Sequence, residues 1–308
     1  MTSTQRQGDS PQSHLAAVLQ ALLVTFLWST SYVLIKWGLE DIPPLTFAGL
    51  RYSLAALVLL PFVVLDAGAR SALKGMSKPD AMSLALLGLV FYAATQGAQV
   101  LGLALLPATV VSLLLGFTPV VVALGGGALL GETTSWRQWV GIAVFLGGVL
   151  VYFLPLQAAV SLVGLGVMSV GVLANAWGGI LGRRTNRSGR LPPLVVTLVS
   201  MTVGGVLLLG TGLARDGVPS LERESWLLVG WLAVVNTAAA FTLWNHTLKR
   251  LTAIESSILN NTMLIQIAIL AWVFLGEPLG WRRGAGITLA ALGACVVQVG
   301  RAARPRRA

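Results

Sequence analysis

Apolar runs about twenty residues long, separated by short polar, Pro-bearing or charged breaks, set the pattern of this chain. A helical residue rises 1.5 Å, so roughly 20 apolar residues are needed to cross about 30 Å of hydrocarbon. Ten such segments are predicted, near residues 15–37, 44–65, 81–104, 108–130, 136–154, 161–181, 192–213, 226–247, 253–275 and 282–300. The breaks fall at Glu40 to Pro44, Arg70 to Asp80, Pro107, Arg183 to Pro193, Arg215 to Glu224, and Lys249 to Arg250.

One stretch occurs twice. Leu130-Gly131-Glu132 is followed by Trp136-Arg137 and Gly141, and Leu275-Gly276-Glu277 by Trp281-Arg282 and Gly286, at a constant offset of 145. The same offset carries Ala108 onto Ala253, Ser112 onto Ser257, Ile142 onto Ile287 and Gly148 onto Gly293. Upstream, an offset of 149 carries Trp28 onto Trp177 and Pro43-Pro44 onto Pro192-Pro193. The pattern predicts a duplication: a tail over 1–14, a first five-helix unit over 15–154, a second over 161–300 and a basic tail over 301–308. Five spans is an odd number, so the second unit must insert upside down relative to the first. Inverted repeats build a site between the halves near the bilayer middle. The expected fold is therefore all-α and membrane-integral, with ten spans in two inverted five-helix repeats.

Composition agrees with this. Of the 308 residues 56% are hydrophobic and 10% charged, with mean hydropathy +0.81, whereas a soluble domain carries about 25% charged residues. The net charge of +10 would suit a nucleic-acid binder, but the basic residues sit in the breaks and report orientation instead. With the N-terminus in the cytoplasm, five of the 21 Lys and Arg (Lys36, Arg215, Arg223, Arg282, Arg283) fall outside. Arg51 falls within a span and the remaining fifteen lie inside, which favours two cytoplasmic termini. Cys295 is the one cysteine, so no intramolecular disulfide forms, and no metal-ligand spacing occurs. The polar stretch Met1 to Ser13 does not resemble a cleavable signal peptide.

Polar and aromatic groups inside spans are the candidates for a solute path, because they are costly against lipid. Tyr92, Gln96 and Gln99 fall on one face of the third span, with counterparts Thr237, Phe241 and Trp244 in the eighth and Asn236 and Asn245 beside them. They read as a cavity wall, or as interhelical hydrogen bonds holding the bundle. Trp28 and Trp177 sit mid-span at equivalent positions and read as floor and lid of a cavity, or as bulk at helix crossings. Tyr32 and Asn175 are weaker candidates of the same kind, and Asn260 and Asn261 in the ninth span, the most polar mid-bundle pair of the second half, read as lining the path or as bundle residues. Arg51 either attracts a substrate carboxylate or pairs with a carboxylate such as Glu277, the pairing being favoured; its counterpart is Ser200. Glu132 and Glu277, each after a Gly at a span end, read as turn and gate residues. All eleven carboxylates map to termini, loops or span ends, and His246 lies near the end of the eighth span, so no embedded proton relay is visible. Gly141 and Gly148, matched by Gly286 and Gly293, predict that the fifth and tenth spans pack closely. Gly125-Gly126-Gly127 reads as a flexible or closely packed run.

The Trp28-Ser29-Thr30-Ser31 run, the Pro43…Arg51 pair and the two Leu-Gly-Glu…Trp-Arg…Gly motifs resemble the drug/metabolite transporter superfamily in its ten-helix EamA-type branch, over roughly residues 15–300. Within that branch the chain is most similar to YddG-type amino-acid exporters. The resemblance implies a multi-pass protein of a bacterial inner membrane that exports amino acids, neutral or aromatic ones, to the periplasm, with membrane lipids and a small-molecule substrate as its partners. No cofactor and no nucleic acid is implied, and a monomer is favoured. Other readings are an exporter of hydrophobic drugs or other metabolites, a nucleotide-sugar carrier, and a membrane-embedded enzyme or scramblase. The last lacks a nucleophile–base pair or His-Glu-x-x-His; the sugar carrier lacks cavity cations beyond Arg51. No nucleotide-binding motif is present.

Overall fold

Prolines start several of the helices. A computed structural model describes residues 11–122, 135–153, 161–187, 189–247, 251 and 253–302, and the described residues are helical throughout apart from short connections. The helices are α1 (Pro11–Gly38), α2 (Pro44–Leu65), the short α3 (Ala67–Lys74), α4 (Lys78–Leu105), α5 (Ala108–Val122), α6 (Trp136–Phe153), α7 (Leu162–Arg187), α8 (Pro193–Asp216), α9 (Arg223–Ala233, continued by Val234–Ala239 and Ala240–Thr247), α10 (Ala253–Leu275) and α11 (Trp281–Ala302). Pro43 and Pro192 precede α2 and α8 with ψ near 140°, and Pro44 and Pro193 open the helices, where a missing N–H costs nothing. Among the described residues eight helices are long and apolar enough to cross a membrane, and Ala108–Val122 is a shorter apolar helix. Rows of exposed Leu, Phe and Val, such as Leu19, Leu23 and Phe26 on α1, are what a lipid-facing surface requires. The short helix α3 fills a break read from sequence as a polar gap; Asp66 caps it by accepting from the Ala69 N–H at 2.7 Å.

Two helix pairs dominate the packing, and small residues permit both. α6 crosses α11 so closely that a Cβ on Gly141 would meet Val297 N at 2.6 Å, and one on Gly148 would meet Ala290 N at 2.4 Å and Gly286 O at 2.6 Å. A Cβ on Gly293 would fall on Phe145 N at 2.3 Å and near Gly141 O. Gly141 thus faces Gly293 while Gly148 faces Gly286, so the two helices run antiparallel. The expected contact between these helices is present. α2 and α8 form the second pair: Gly49 abuts Leu209, Gly205 abuts Ser53 and Gly212 abuts Thr46, again antiparallel.

The first helix of each unit packs on the other unit. α1 lies against α9 and α10, and α7 lies against α4 and α5. Gly171 meets Ala98 and Gly178 meets Phe91 on α4. The largest core cluster runs between the units, from Tyr32 and Tyr52 through Tyr92 and Met168 to Leu232 and Ile267.

Both α4 and α9 break their regular winding at matching places. Gly88–Thr95 and Val234–Ala239 are π-helical, and the offset of 145 carries 88–95 onto 233–240. In each, a threonine hydroxyl reaches five residues back: Thr95 to Val90 O at 3.0 Å and Thr237 to Leu232 O at 2.8 Å. π-turns inside helices are rare and concentrate at functional sites.

Candidate functional site

α1 carries Trp28, Tyr32 and Lys36 at four-residue intervals, one stripe along one face. Each marks a level of the site. At the first level the Trp28 ring packs tilted against Phe241 at 5.2 Å and Trp244 at 5.3 Å between centroids, both on α9. Trp28 Nε1 is buried and has no hydrogen-bond partner among the described residues.

At the second level Tyr32 and Tyr52 are electrostatic neighbours of Arg51. The rings of Tyr52 and Tyr92 meet edge-on at 5.7 Å. Arg51 is 5% exposed; its Nε donates to Thr237 Oγ1 at 3.0 Å. The expected pairing of Arg51 with Glu277 is not formed, because the carboxylate is spent elsewhere. Ser200, the counterpart of Arg51, neighbours Tyr92, the counterpart of Thr237, while its own hydroxyl donates to Val196 O at 2.5 Å. The repeat thus uses the same two positions twice, once with a charge and once without.

At the third level a cavity of about 560 Å³ is lined by Lys36, Trp37 and Glu40 of α1 and its following turn, by Ala104 to Pro107 at the end of α4 and just beyond it, and by Phe274 and Leu275 at the end of α10 with Glu277 after it. Trp37 and Phe274 meet edge-on at 6.2 Å across it. Glu277 is held by Gly276, whose φ of +65° suits glycine because a Cβ is disfavoured there. That turn aims the carboxylate at the start of α5. Oε1 accepts from the Ala108 N–H, while Oε2 accepts from the Thr109 N–H at 3.1 Å and the Thr109 hydroxyl at 2.7 Å. Thr109 in turn bonds the Tyr152 hydroxyl at 2.7 Å, and Arg283 lies over the Tyr152 ring while donating to Pro278 O. A carboxylate at a helix N-terminus satisfies orphan N–H groups and meets the positive end of the dipole. Glu277 is therefore a cap linking the second unit to α5 of the first.

The other candidates separate into two groups. Gln96 and Gln99 are half-buried, and among the described residues neither amide has a hydrogen-bond partner. Tyr92 does not share their setting, because the π-turn ends between them: an extra residue rotates the remainder of the helix by roughly 100° at 3.6 residues per turn. Asn236 is fully buried, and its Nδ2 donates to Leu27 O, to Thr30 Oγ1 at 3.0 Å and to Ser31 Oγ at 3.0 Å. Asn175 donates to Thr118 Oγ1 at 3.0 Å, and Asn261 donates to Cys295 Sγ at 3.3 Å. These three amides bridge helices. Asn260 is exposed. Trp177 is 47% exposed on α7 and the structure does not bring it to Trp28: opposite the Trp28 cluster stand Phe241 and Trp244. Glu132 and Gly125 to Gly127 lie outside the described residues, as do the side chains of Asn245 and His246. Absent from the sequence candidates are Tyr52, which neighbours the buried Arg51, and a polar seam in which Ser29 donates to Gln266 Oε1 at 2.9 Å while Gln266 Nε2 reaches Thr262 at 3.0 Å.

The sequence pattern of the EamA-like transporter family matches residues 15–154 and again 162–299. The chain belongs to that family. It is a membrane transporter with a duplicated EamA domain, of the drug/metabolite type. It is 24% identical over 273 residues to an S-adenosylmethionine/S-adenosylhomocysteine transporter of Chlamydia trachomatis serovar L2, covering 85% of this chain and 82% of that one. It is 26% identical over 240 residues to a probable amino-acid metabolite efflux pump of Escherichia coli K12, covering 75% and 77%. It is 25% identical over 276 residues to the uncharacterized inner membrane transporter YedA of the same organism, covering 89% and 86%. A crystal structure with 18% identity superposes with a TM-score of 0.65 over 95% of this chain and all of the other, which shows a shared fold.

Proposed function

We propose that this EamA-family chain is a secondary transporter that exports amino acids, or compounds built on an amino acid, by alternating access between two inverted five-helix units. The observation that carries this reading is the antiparallel pairing of counterpart helices: Gly141 against Gly293 with Gly148 against Gly286 in α6 and α11, and Gly49 against Leu209 in α2 and α8. A duplicated helix that meets its own copy antiparallel belongs to an inverted repeat, which supports two oppositely inserted five-span units and a path between them, while the basic residues in the breaks support cytoplasmic termini. Trp28, Tyr32, Tyr92, Gln96, Gln99 and Trp244 line that path, and Glu277 with its counterpart Glu132 hold the gates.

The cargo follows from chemistry shared by two relatives. One is named for S-adenosylmethionine and the other for amino-acid metabolites, and both cargoes carry an amino-acid part. Amide and hydroxyl groups suit a zwitterion, and the aromatic group at Trp28 suits an apolar side chain. Export runs from the cytoplasm to the periplasm across the inner membrane. The test is counterflow of labelled amino acids and S-adenosylmethionine in proteoliposomes without ATP. Saturable exchange of at least one of them is expected. Exchange of a neutral hydrophobic drug alone would replace the amino-acid reading with the drug-exporter one.

A further inference from the structure

Arg51 is a buried cation without a counter-ion among the described residues. Among the described residues the ion pairs are Arg190 with Asp80 and Arg215 with Asp216, none of them near it. Its one hydrogen-bond partner there is Thr237 Oγ1, engaged by Nε at 3.0 Å. Thr237 already donates its own proton to Leu232 O, so it meets Arg51 as an acceptor. The terminal nitrogens of the guanidinium, which form the flat fork that grips oxyanions, have no protein acceptor among the described residues. The guanidinium carbon lies 5.3 Å from the Tyr52 ring centre. Three of the chain's four tyrosines, Tyr32, Tyr52 and Tyr92, converge on this level. One turn along α1 stands the Trp28, Phe241 and Trp244 group.

We propose that Arg51, with the hydroxyls of Tyr32 and Tyr52, binds the carboxylate of the transported solute, and that the Trp28–Phe241–Trp244 group receives the solute's apolar part. This rests on the reading of the chain as a transporter of amino-acid compounds. A carboxylate matches a guanidinium in charge and in bidentate geometry, and tyrosine hydroxyls add donors to the same oxygens. A desolvated cation is costly unless an anion accompanies it, so the cargo itself supplies the missing charge. A single cation compensates one negative charge, which selects a carboxylate over a phosphate dianion. The counterpart Ser200 is neutral, so the pocket holds one carboxylate site, not two. Thr237 positions Arg51 from the π-turn of α9.

The test compares, in proteoliposomes holding the full chain, each L-amino acid that the parent exchanges with its α-amide and its decarboxylated amine as competitors. In the parent the acid is expected to compete at least tenfold better than the amide or amine. In Arg51→Gln that preference should collapse to near unity, and in Arg51→Lys it should persist with weaker binding. The acid-to-amide ratio is internal to each variant and independent of how much protein folds. Should Arg51→Gln fail to fold, Thr237→Val carries the test: KM for the acid is expected to rise several-fold with kcat held, and the ratio to shrink. Equal competition by acid and amide in the parent, or an undiminished preference in Arg51→Gln and Thr237→Val, would overturn the carboxylate site while leaving the transporter reading intact. If no amino-acid compound is exchanged, thermal stabilisation of the detergent-purified chain by monocarboxylates that lack an amino group, and by their amides, decides. Stabilisation by acids that is lost in Arg51→Gln keeps the site and removes the amino-acid reading; no Arg51-dependent stabilisation removes the site as well.

Discussion

Asn236 places one amide nitrogen within reach of three acceptors on α1, while Gln96 and Gln99 have no partner among the described residues and stand half-exposed. Magnitude separates their roles. A hydrogen bond between membrane helices contributes on average about 0.6 kcal/mol and at most roughly 1.7. The buried Asn236 Oδ1 has no partner and offsets part of that gain. Asn236→Leu is therefore expected to cost about 1–2 kcal/mol of stability, read as a lower melting temperature in detergent. Gln99→Ala should leave the melting temperature unchanged and raise KM in counterflow. A melting drop in Gln99→Ala as large as that of Asn236→Leu would make Gln99 a bundle residue. Trp28→Ala removes two ring contacts of roughly 0.5–1.5 kcal/mol each, so its transport defect must be compared with Trp28→Phe, which keeps a ring and is expected to retain partial exchange.

At the scale of elements, the repeated Leu-Gly-Glu motif gains a mechanical meaning. Gly276 supplies the left-handed turn and Glu277 caps α5 across the unit boundary. Loss of a helix N-cap costs about 0.5–2 kcal/mol, so Glu277→Ala should lower the melting temperature by that equivalent, and Glu277→Gln by less, since an amide oxygen still accepts from the N–H groups. Equal loss in both would point to the charge and dipole as the main contribution. The α6–α11 crossing is more demanding. A Cβ on Gly148 falls 2.4 Å from backbone at Ala290, where no side chain can move aside. Gly148→Ala is expected to cost about 1–3 kcal/mol, the usual range for overpacking, and to reduce folded yield. A fully stable Gly148→Ala would show that this crossing is loose.

For the whole molecule, inversion of the two units has a direct consequence. Single cysteines at Ser135 and Gly280, placed in a Cys295→Ser background, should react with a membrane-impermeant thiol reagent from opposite sides of the membrane. Labelling of both from one side would remove the alternating-access reading. No carboxylate among the described span interiors supplies a proton relay, and Glu277 is committed to its cap. Counterflow is accordingly expected to proceed without a pH gradient; a strict requirement for one, measured with a protonophore, would assign coupling to a group outside the described residues.

Hydropathy and the 145-residue repeat by themselves define a helical membrane protein with a duplicated unit, because lipid imposes its length and polarity on every span and a duplication preserves spacing. The same pattern pointed to Trp28 and Arg51, since large or charged groups inside a span stand out against leucine. It could not say what those groups face. Trp28 and Trp177 are equivalent in sequence, yet one meets Phe241 and Trp244 while the other lies half-exposed. The π-turns rotate α4 and α9 away from the periodicity a sequence reading assumes. Arg51 reads in sequence as a partner for Glu277, but only packing decides that Glu277 caps α5 and that Arg51 is left to Thr237. Partner choice is a contest among groups distant in the chain, settled by which helices touch.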